Sequence, residues 1–275
     1  MACQGRGMFS TSGKSSLAYE VTKPGGAGAD VLLIHAGVTD RRSWNPLIEV
    51  LSGQRRIVSY DARGFGETTY EPEPFTRHGD ALAVMDAAGV GTAVVVGCSM
   101  GGGTAIDLAL ANPGRVIALI LIGSAVSGAP YPDITQEPIA SMVKAAEDAE
   151  TTGDLDELNR LEAHLWLDGP TAPEGRIGGE VRELFLEMNG RALRAPDPGD
   201  PAEPGDAWLR LNEIAVPTLV LVGDLDLPDI QEIDEQLAQR IDGARFVKLH
   251  GVAHLPHLEG DKDCLREITS FLTTI

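Results

Sequence analysis

The chain has 275 residues, 43% of them hydrophobic and 23% charged, which suits one large globular domain or a core with an insertion and lies far from the composition of disordered chains. Its 41 acidic against 22 basic residues leave a formal net charge of −19, so the overall field repels nucleic-acid backbones and anionic membrane surfaces alike. No run approaches the roughly 20 apolar residues of a membrane-spanning helix, and the opening M-A-C-Q-G-R-G-M-F-S lacks a signal-peptide core, so a soluble, unexported, cytoplasmic protein is expected. The seven residues before Met8 read as disordered, and Cys3, Cys98 and Cys264, an odd set with no metal-like spacing, suit a reducing compartment.

In chain order, apolar runs of strand length occupy 30–35, 56–60, 93–97, 116–122, 217–223 and 244–250. Their apolarity is continuous rather than alternating, which means burial on both faces and hence a parallel sheet covered by helices. Amphipathic segments around 43–52, 76–89, 100–112, 229–241 and 261–273 are long enough to serve as crossovers, and the alternation predicts a doubly wound α/β fold. Between about 128 and 213 the strand signals stop. Helices are expected there at 135–150, 154–166 and 179–193, with Asp154 as an N-cap and Leu155, Leu158, Leu161, Leu165 and Trp166 on one side of the second. The stretch A-P-D-P-G-D-P-A-E-P-G-D at 195–206 reads as a mobile acidic loop. The division expected is core 1–127, helical cap 128–213 over the C-terminal edge of the sheet, where open α/β sheets bind ligands, and core 214–275.

Gly97-Cys98-Ser99-Met100-Gly101 matches G-x-S-x-G between a buried strand and a helix, the context in which the motif lifts a serine hydroxyl above the sheet edge. There the hydroxyl meets the positive end of a helix, and the Met100 amide points where an acyl oxygen would become anionic. A dinucleotide fingerprint fails because the central glycine is missing, and Gly13-Lys14-Ser15 lacks the first glycine of a P-loop. Cys98, adjacent to the serine, should point the opposite way into the packing.

A serine nucleophile needs a base, and the base needs an acid to fix its tautomer. His254, in H-G-V-A-H-L-P-H-L-E, follows the last strand by a short loop that swings it over the sheet edge. His250 is expected to pack at the strand end, and His257 to cap or face solvent. The spacings of four and three resemble metal ligands, but Gly251 and Pro256 interrupt any shared helical face, and no metal or organic cofactor is expected. In V-L-V-G-D-L-D-L-P-D, Asp226 lies farther into the loop than Asp224 and is the expected acid; Asp229 reads as an ordinary helix-start acid. Ser99, Asp226, His254 is the chain order of the α/β-hydrolase triad.

These stretches, with L-L-I-H-A-G-V-T-D-R-R-S-W at 32–44 and Y-D-A-R-G-F-G-E-T at 60–68, resemble the α/β-hydrolase fold superfamily in its capped serine esterase, lactonase and perhydrolase branch. The resemblance covers nearly the whole chain outside the cap. It implies a second oxyanion-hole amide in the loop after the early strand. That loop usually reads His-Gly-x and here is His35-Ala36-Gly37-Val38, so the amide falls to Gly37 with Val38 next in line. It also implies structural roles for Asp61, Arg63 and Gly64, and a buttressing role for Glu259. Relatives with an aspartate nucleophile, the epoxide hydrolases and haloalkane dehalogenases, are excluded by Ser99. Val38, Trp44 and Trp166 are expected to border the substrate, and Met142, Phe185 and Met188 suggest an apolar roof. The implied substrate is a small or medium, largely apolar carboxylic ester or lactone. Two alternatives stay open: cofactor-free perhydrolase or haloperoxidase-type acyl transfer, and a non-catalytic binding protein on the same fold. The oligomeric state is not legible.

Overall fold

A computed structural model describes residues 8–22, 26, 28–202 and 205–275; the segment ahead of Met8 lies outside the described residues. Its sheet has eight strands: β1 (Met8–Ser12), β2 (Ser15–Val21), β3 (Val31–Ile34), β4 (Ile57–Tyr60), β5 (Ala93–Cys98), β6 (Val116–Ile122), β7 (Thr218–Gly223) and β8 (Arg245–Leu249), in the order β1-β2-β4-β3-β5-β6-β7-β8. The six strands from β3 to β8 are parallel where they pair, and they coincide with the six apolar runs of the sequence. β1 and β2 form an antiparallel hairpin that joins the sheet against β4 and that the sequence reading missed. Their Ser-rich alternation buries only part of each strand, so no continuous apolar run marks them.

The crossover helices are α1 (Asn45–Leu51), α2 (Arg77–Ala87), α3 (Met100–Ala111), α7 (Pro228–Arg240) and α9 (Lys262–Leu272). Two of them begin at the capping residues their chemistry requires: Thr76 Oγ1 accepts from Gly79 N at the start of α2, and Asp261 from Cys264 N at the start of α9. One apolar cluster fills each face of the sheet. Leu32, Ile34, Val95 and Leu121 point to α2, α3 and α7, whereas Leu33, Val94, Val96 and Ile120 point to α1 and α9, as the two-residue period of a strand demands.

Between β6 and β7 the chain is helical, with α4 (Ile139–Thr152), α5 (Leu155–Glu162) and α6 (Gly179–Ala192), and α8 (Pro256–Glu259) is a single turn after β8. Asp154 caps α5 by accepting from Glu157 N, as expected, but the helix then widens into a π-helical turn over Ala163–Asp168. Within the stretch read as a mobile loop, residues 196–202 are docked: Phe75 N donates to Asp200 O at 3.3 Å, Ala202 N to Phe75 O at 2.7 Å, and the Tyr70 hydroxyl to Pro196 O at 2.6 Å. No helix among the described residues is long and apolar enough to cross a membrane.

Candidate active site

β5 enters the centre of the sheet with all six residues buried and ends at Cys98; the next residue, Ser99, has φ 53° and ψ −117°. It is the one non-glycine residue with positive φ among the described residues, a conformation disfavoured for an L side chain and maintained only by its surroundings. Ser99 N donates to Ile122 O at 2.9 Å, and Ser99 O accepts from Gly103 N at 3.1 Å and Ala125 N at 3.0 Å, so the residue is clamped between α3 and the chain leaving β6. The turn also forces α3 against β3. A Cβ on Gly101 would stand 2.1 Å from Ile34 O and 2.6 Å from His35 O, both backbone atoms that cannot give way.

That contact brings the loop after β3 to the start of α3. Gly37 lies beside Met100, its Cβ position 3.7 Å from the Met100 Cβ, and both residues border one cavity. His35 anchors this loop: its Nδ1–H donates to Ala36 O at 2.8 Å and its Nε2 accepts from Ala62 N at 3.0 Å. Burial pushes the His35 pKa below its ordinary value, so the imidazole stays neutral in the tautomer those bonds require. Val38 is half-buried against the core rather than in either cavity near Ser99.

At the neighbouring strand ends, His254 Nδ1 donates to Asp226 Oδ2 at 2.7 Å, and the other carboxylate oxygen accepts from Leu227 N at 2.8 Å. The two side chains are 2% and 1% exposed, so this is a buried charge-assisted bond whose strength is little diluted by water. Two contacts tie the pair to the serine turn. The Cys98 thiol donates to His254 O at 3.5 Å, and Gly123, directly after the strand residue paired with Cys98, lies under the imidazole. Gly123 has φ +50°, and a Cβ there would stand 2.9 Å from His254 Nδ1 and 3.1 Å from Asp226 Oδ2. The Ser99 hydroxyl, half-buried and open to a cavity, is not hydrogen-bonded to His254 in this structure; such bonds commonly tighten only when substrate is bound. Cys98 is buried and faces away, and burial holds its thiol far above the ordinary range, so it stays protonated.

The other two histidines of the 250–259 segment reverse the expectation. His250, expected to pack, is 85% exposed and pairs with Asp224 at 3.0 Å, which also accepts from Gly251 N at 2.7 Å. His257, expected at the surface, is wholly buried, because Pro256 opens α8 and that turn rotates the ring inward onto Trp44 at 4.0 Å between centroids. Neither of its ring nitrogens has a partner, and burial drives its pKa down to about 3. Trp44, expected beside the substrate, is therefore a core residue, 0% exposed, as are Phe185 and, at 1%, Met188. Met142 packs among α4 and α5. Trp166 lies against His254, with 4.8 Å between ring centroids.

Asp61 is spent on the backbone: it accepts from Arg41 N at 2.9 Å and Glu67 N at 2.8 Å and pairs with the Arg41 guanidinium. Arg63 pairs with Asp80 at 2.8 Å and Glu73 at 2.7 Å. Glu259 accepts from Ala253 N at 3.2 Å, next to His254. Asp229 opens α7 as expected, and burial raises its pKa. Among the described residues no group of three or more His, Cys, Asp and Glu is arranged to hold a metal ion.

Two cavities flank Met100. One of about 350 Å3 holds Ser99 together with Arg77, His78, Asp107 and Tyr131. The other, about 410 Å3, is bordered by Gly37, Ile34, Phe65 and Phe75 and roofed by residues of the 195–201 stretch. Arg77, His78, Asp107 and Tyr131 escaped the sequence reading. Arg77 and His78 open α2, Asp107 lies in α3 and Tyr131 in the chain after β6, and that they share a cavity with Ser99 becomes visible only once the helices are set on the sheet.

Residues 31–267 match the model of the alpha/beta hydrolase family. A 2-hydroxymuconate semialdehyde hydrolase of Pseudomonas sp. strain CF600 is 37% identical over 109 residues, which make up 36% of this chain and 38% of that protein. A pimeloyl-(acyl-carrier protein) methyl ester esterase of Neisseria meningitidis is 28% identical over 83% of this chain and 86% of its own length. The solved enol-lactonase of Burkholderia xenovorans LB400 superposes with a TM-score of 0.76 at 26% identity, covering 95% of this chain and 98% of that one. The chain belongs to the alpha/beta hydrolase family.

Proposed function

We propose that the chain is an ester-bond hydrolase that cleaves small or medium carboxylic esters or lactones through an acyl-enzyme on Ser99. The observation that carries this reading is the buried Asp226–His254 bond at 2.7 Å on the same sheet edge as a serine held at φ 53°. The similarity to a methyl ester esterase and an enol-lactonase supports the reaction class.

The mechanism follows from the chemistry of these groups. A serine hydroxyl is a weak nucleophile near neutral pH. With Asp226 fixing Nδ1 as the protonated nitrogen, Nε2 of His254 is the free base that can accept the Ser99 proton as Oγ attacks the acyl carbon. The amides of Met100 and Gly37 receive the oxyanion, and water then attacks the acyl-enzyme through the same imidazole. The helices between β6 and β7 act as a cap, with the docked 195–202 stretch closing the outer wall. The cavity walled by Ile34, Phe65 and Phe75 takes the apolar part of the substrate, and the one holding Ser99, Arg77 and Tyr131 takes the more polar part.

The test is a panel of short p-nitrophenyl esters and of lactones assayed with the parent and Ser99→Ala. Turnover that drops by about 10³-fold or more in the variant supports the reading. Equal turnover by both proteins, or none by the parent on any ester or lactone, overturns it.

A further inference from the structure

We propose that Trp166 is a positioning residue for proton transfer: its indole stabilises the imidazolium that His254 becomes when it takes the Ser99 proton. The inference rests on the function proposed above. As Oγ bonds to the acyl carbon, the O–H bond breaks, its proton passes to Nε2, and the carbonyl π pair moves onto the oxygen. The imidazolium then returns that proton to the leaving oxygen as the C–O bond breaks. Between those events a positive ring sits in a buried site, where the protein must replace the water that would otherwise solvate it.

The Trp166 and His254 ring centroids lie 4.8 Å apart with planes at 47°, inside the roughly 6 Å over which an aromatic ring attracts a cation, and indole is the strongest such ring. Trp166 borders neither cavity beside Ser99, so its neighbour is the base rather than the substrate. It packs at once against the cluster under the sheet and the cluster between α4 and α5, which keeps water from that side of the imidazole.

The backbone around Trp166 is built to keep it there. It sits in the π-helical turn Ala163–Asp168, whose extra residue per turn rotates the ring out of the register of α5; such turns recur at functional sites. Asp168, 0% exposed, fixes the far end of the turn by accepting from Gly175 N and Ile177 N, each at 2.9 Å, and from Arg182 at 2.7 Å. Arg176 joins this turn to the histidine loop. It donates to Leu167 O at 2.7 Å and Asp168 O at 2.6 Å on one side, and to Gly251 O at 3.0 Å and both Glu259 oxygens at 2.8 and 2.7 Å on the other. One guanidinium thus sets both partners of the ring contact.

The other groups that bear on the imidazole are Asp226 on Nδ1, the Cys98 thiol on the His254 carbonyl, and Asp229 and His257 at electrostatic range from α7 and α8. A test must leave all of them in place. Site-specific replacement of Trp166 by mono-, di- and trifluorotryptophan does so, because fluorine drains the negative face of the ring while nearly preserving its shape. The expected result is a stepwise fall in kcat with each fluorine, reaching about 3- to 30-fold for the trifluoro ring or for Trp166→Leu, with KM little changed. The acid-side midpoint of the kcat/KM–pH profile should move to lower pH in the same order. A flat series in both readouts overturns the proposal and makes the contact mere packing, while inactivity of Ser99→Ala leaves the hydrolase reading intact. An active Ser99→Ala overturns both.

Discussion

His257 should make the protein lose stability in acid, and His257→Phe should remove that loss. The ring is wholly buried against Trp44 with both nitrogens unpartnered, and its pKa lies at about 3 in the folded chain. In the unfolded chain it returns to about 6.5, so as pH falls below that value the unfolded state takes up a proton the folded state refuses. The direction is therefore a loss of stability on acidification, complete near pH 3 and absent above about pH 7. From the two pKa values the loss between pH 7.5 and 4.5 is about 3 kcal/mol, roughly two units at 1.36 kcal/mol each. Phenylalanine preserves the stacked ring and cannot titrate. Urea melts of both proteins at the two pH values give the answer. With a slope of about 2–3 kcal/mol/M, the gap between the variant and parent midpoints should widen by about 1 M on going to pH 4.5. Any packing cost of the larger ring is common to both pH values and cancels. Midpoints that fall in parallel would refute the account of this residue.

Three further outcomes follow from the geometry. Asp226→Asn should lower kcat by about 10³- to 10⁴-fold with little change in KM, since the amide can favour the wrong imidazole tautomer; steady-state kinetics on a short ester decide it. Gly123→Ala adds a methyl 2.9 Å from His254 Nδ1 at a residue with φ +50°, and should cut kcat by about tenfold or more, with the histidine Nδ1 proton resonance shifted in NMR spectra. Tyr70→Phe removes the 2.6 Å bond to Pro196 O that helps seat the 195–202 stretch, and should raise KM by a few fold and quicken proteolysis within that stretch, with kcat unchanged.

What could be read from the sequence was set by how local the determining forces are. The parallel strands were legible because burial on both faces leaves unbroken apolar runs, as at 93–97 and 116–122. The β1–β2 hairpin was not, because its Ser-rich residues meet the sheet at its edge. The positions of Ser99, Asp226 and His254 at the sheet edge were legible because each lies at the end of a strand or in the loop just beyond it, where a short segment sets its direction; their joint role is the proposal made above. Asp226 pairs with His254, as its depth in the loop suggested, whereas the Asp224–His250 pair was not foreseen. The errors came where a neighbour remote in sequence decides. Trp44 and His257 bury each other across more than 200 residues, so neither segment alone revealed a core pair. The 195–202 stretch looked mobile because of its own Pro, Gly and Asp content, yet the Tyr70 hydroxyl and the backbone of Glu73 and Phe75 hold it. The contact of Trp166 with His254 was not legible, because the π-helical turn that carries Trp166 leaves no mark in the apolar spacing.

The proposed chemistry depends above all on activation of the Ser99 hydroxyl by His254. The most direct measurement is labelling with a fluorophosphonate followed by peptide mass spectrometry on the parent, Ser99→Ala and His254→Ala. A single phosphonyl adduct is expected on the peptide carrying Ser99 in the parent, none in Ser99→Ala, and labelling slowed by about 10³-fold or more in His254→Ala. An adduct on a different residue, or labelling of the His254→Ala protein at the parent rate, would contradict it.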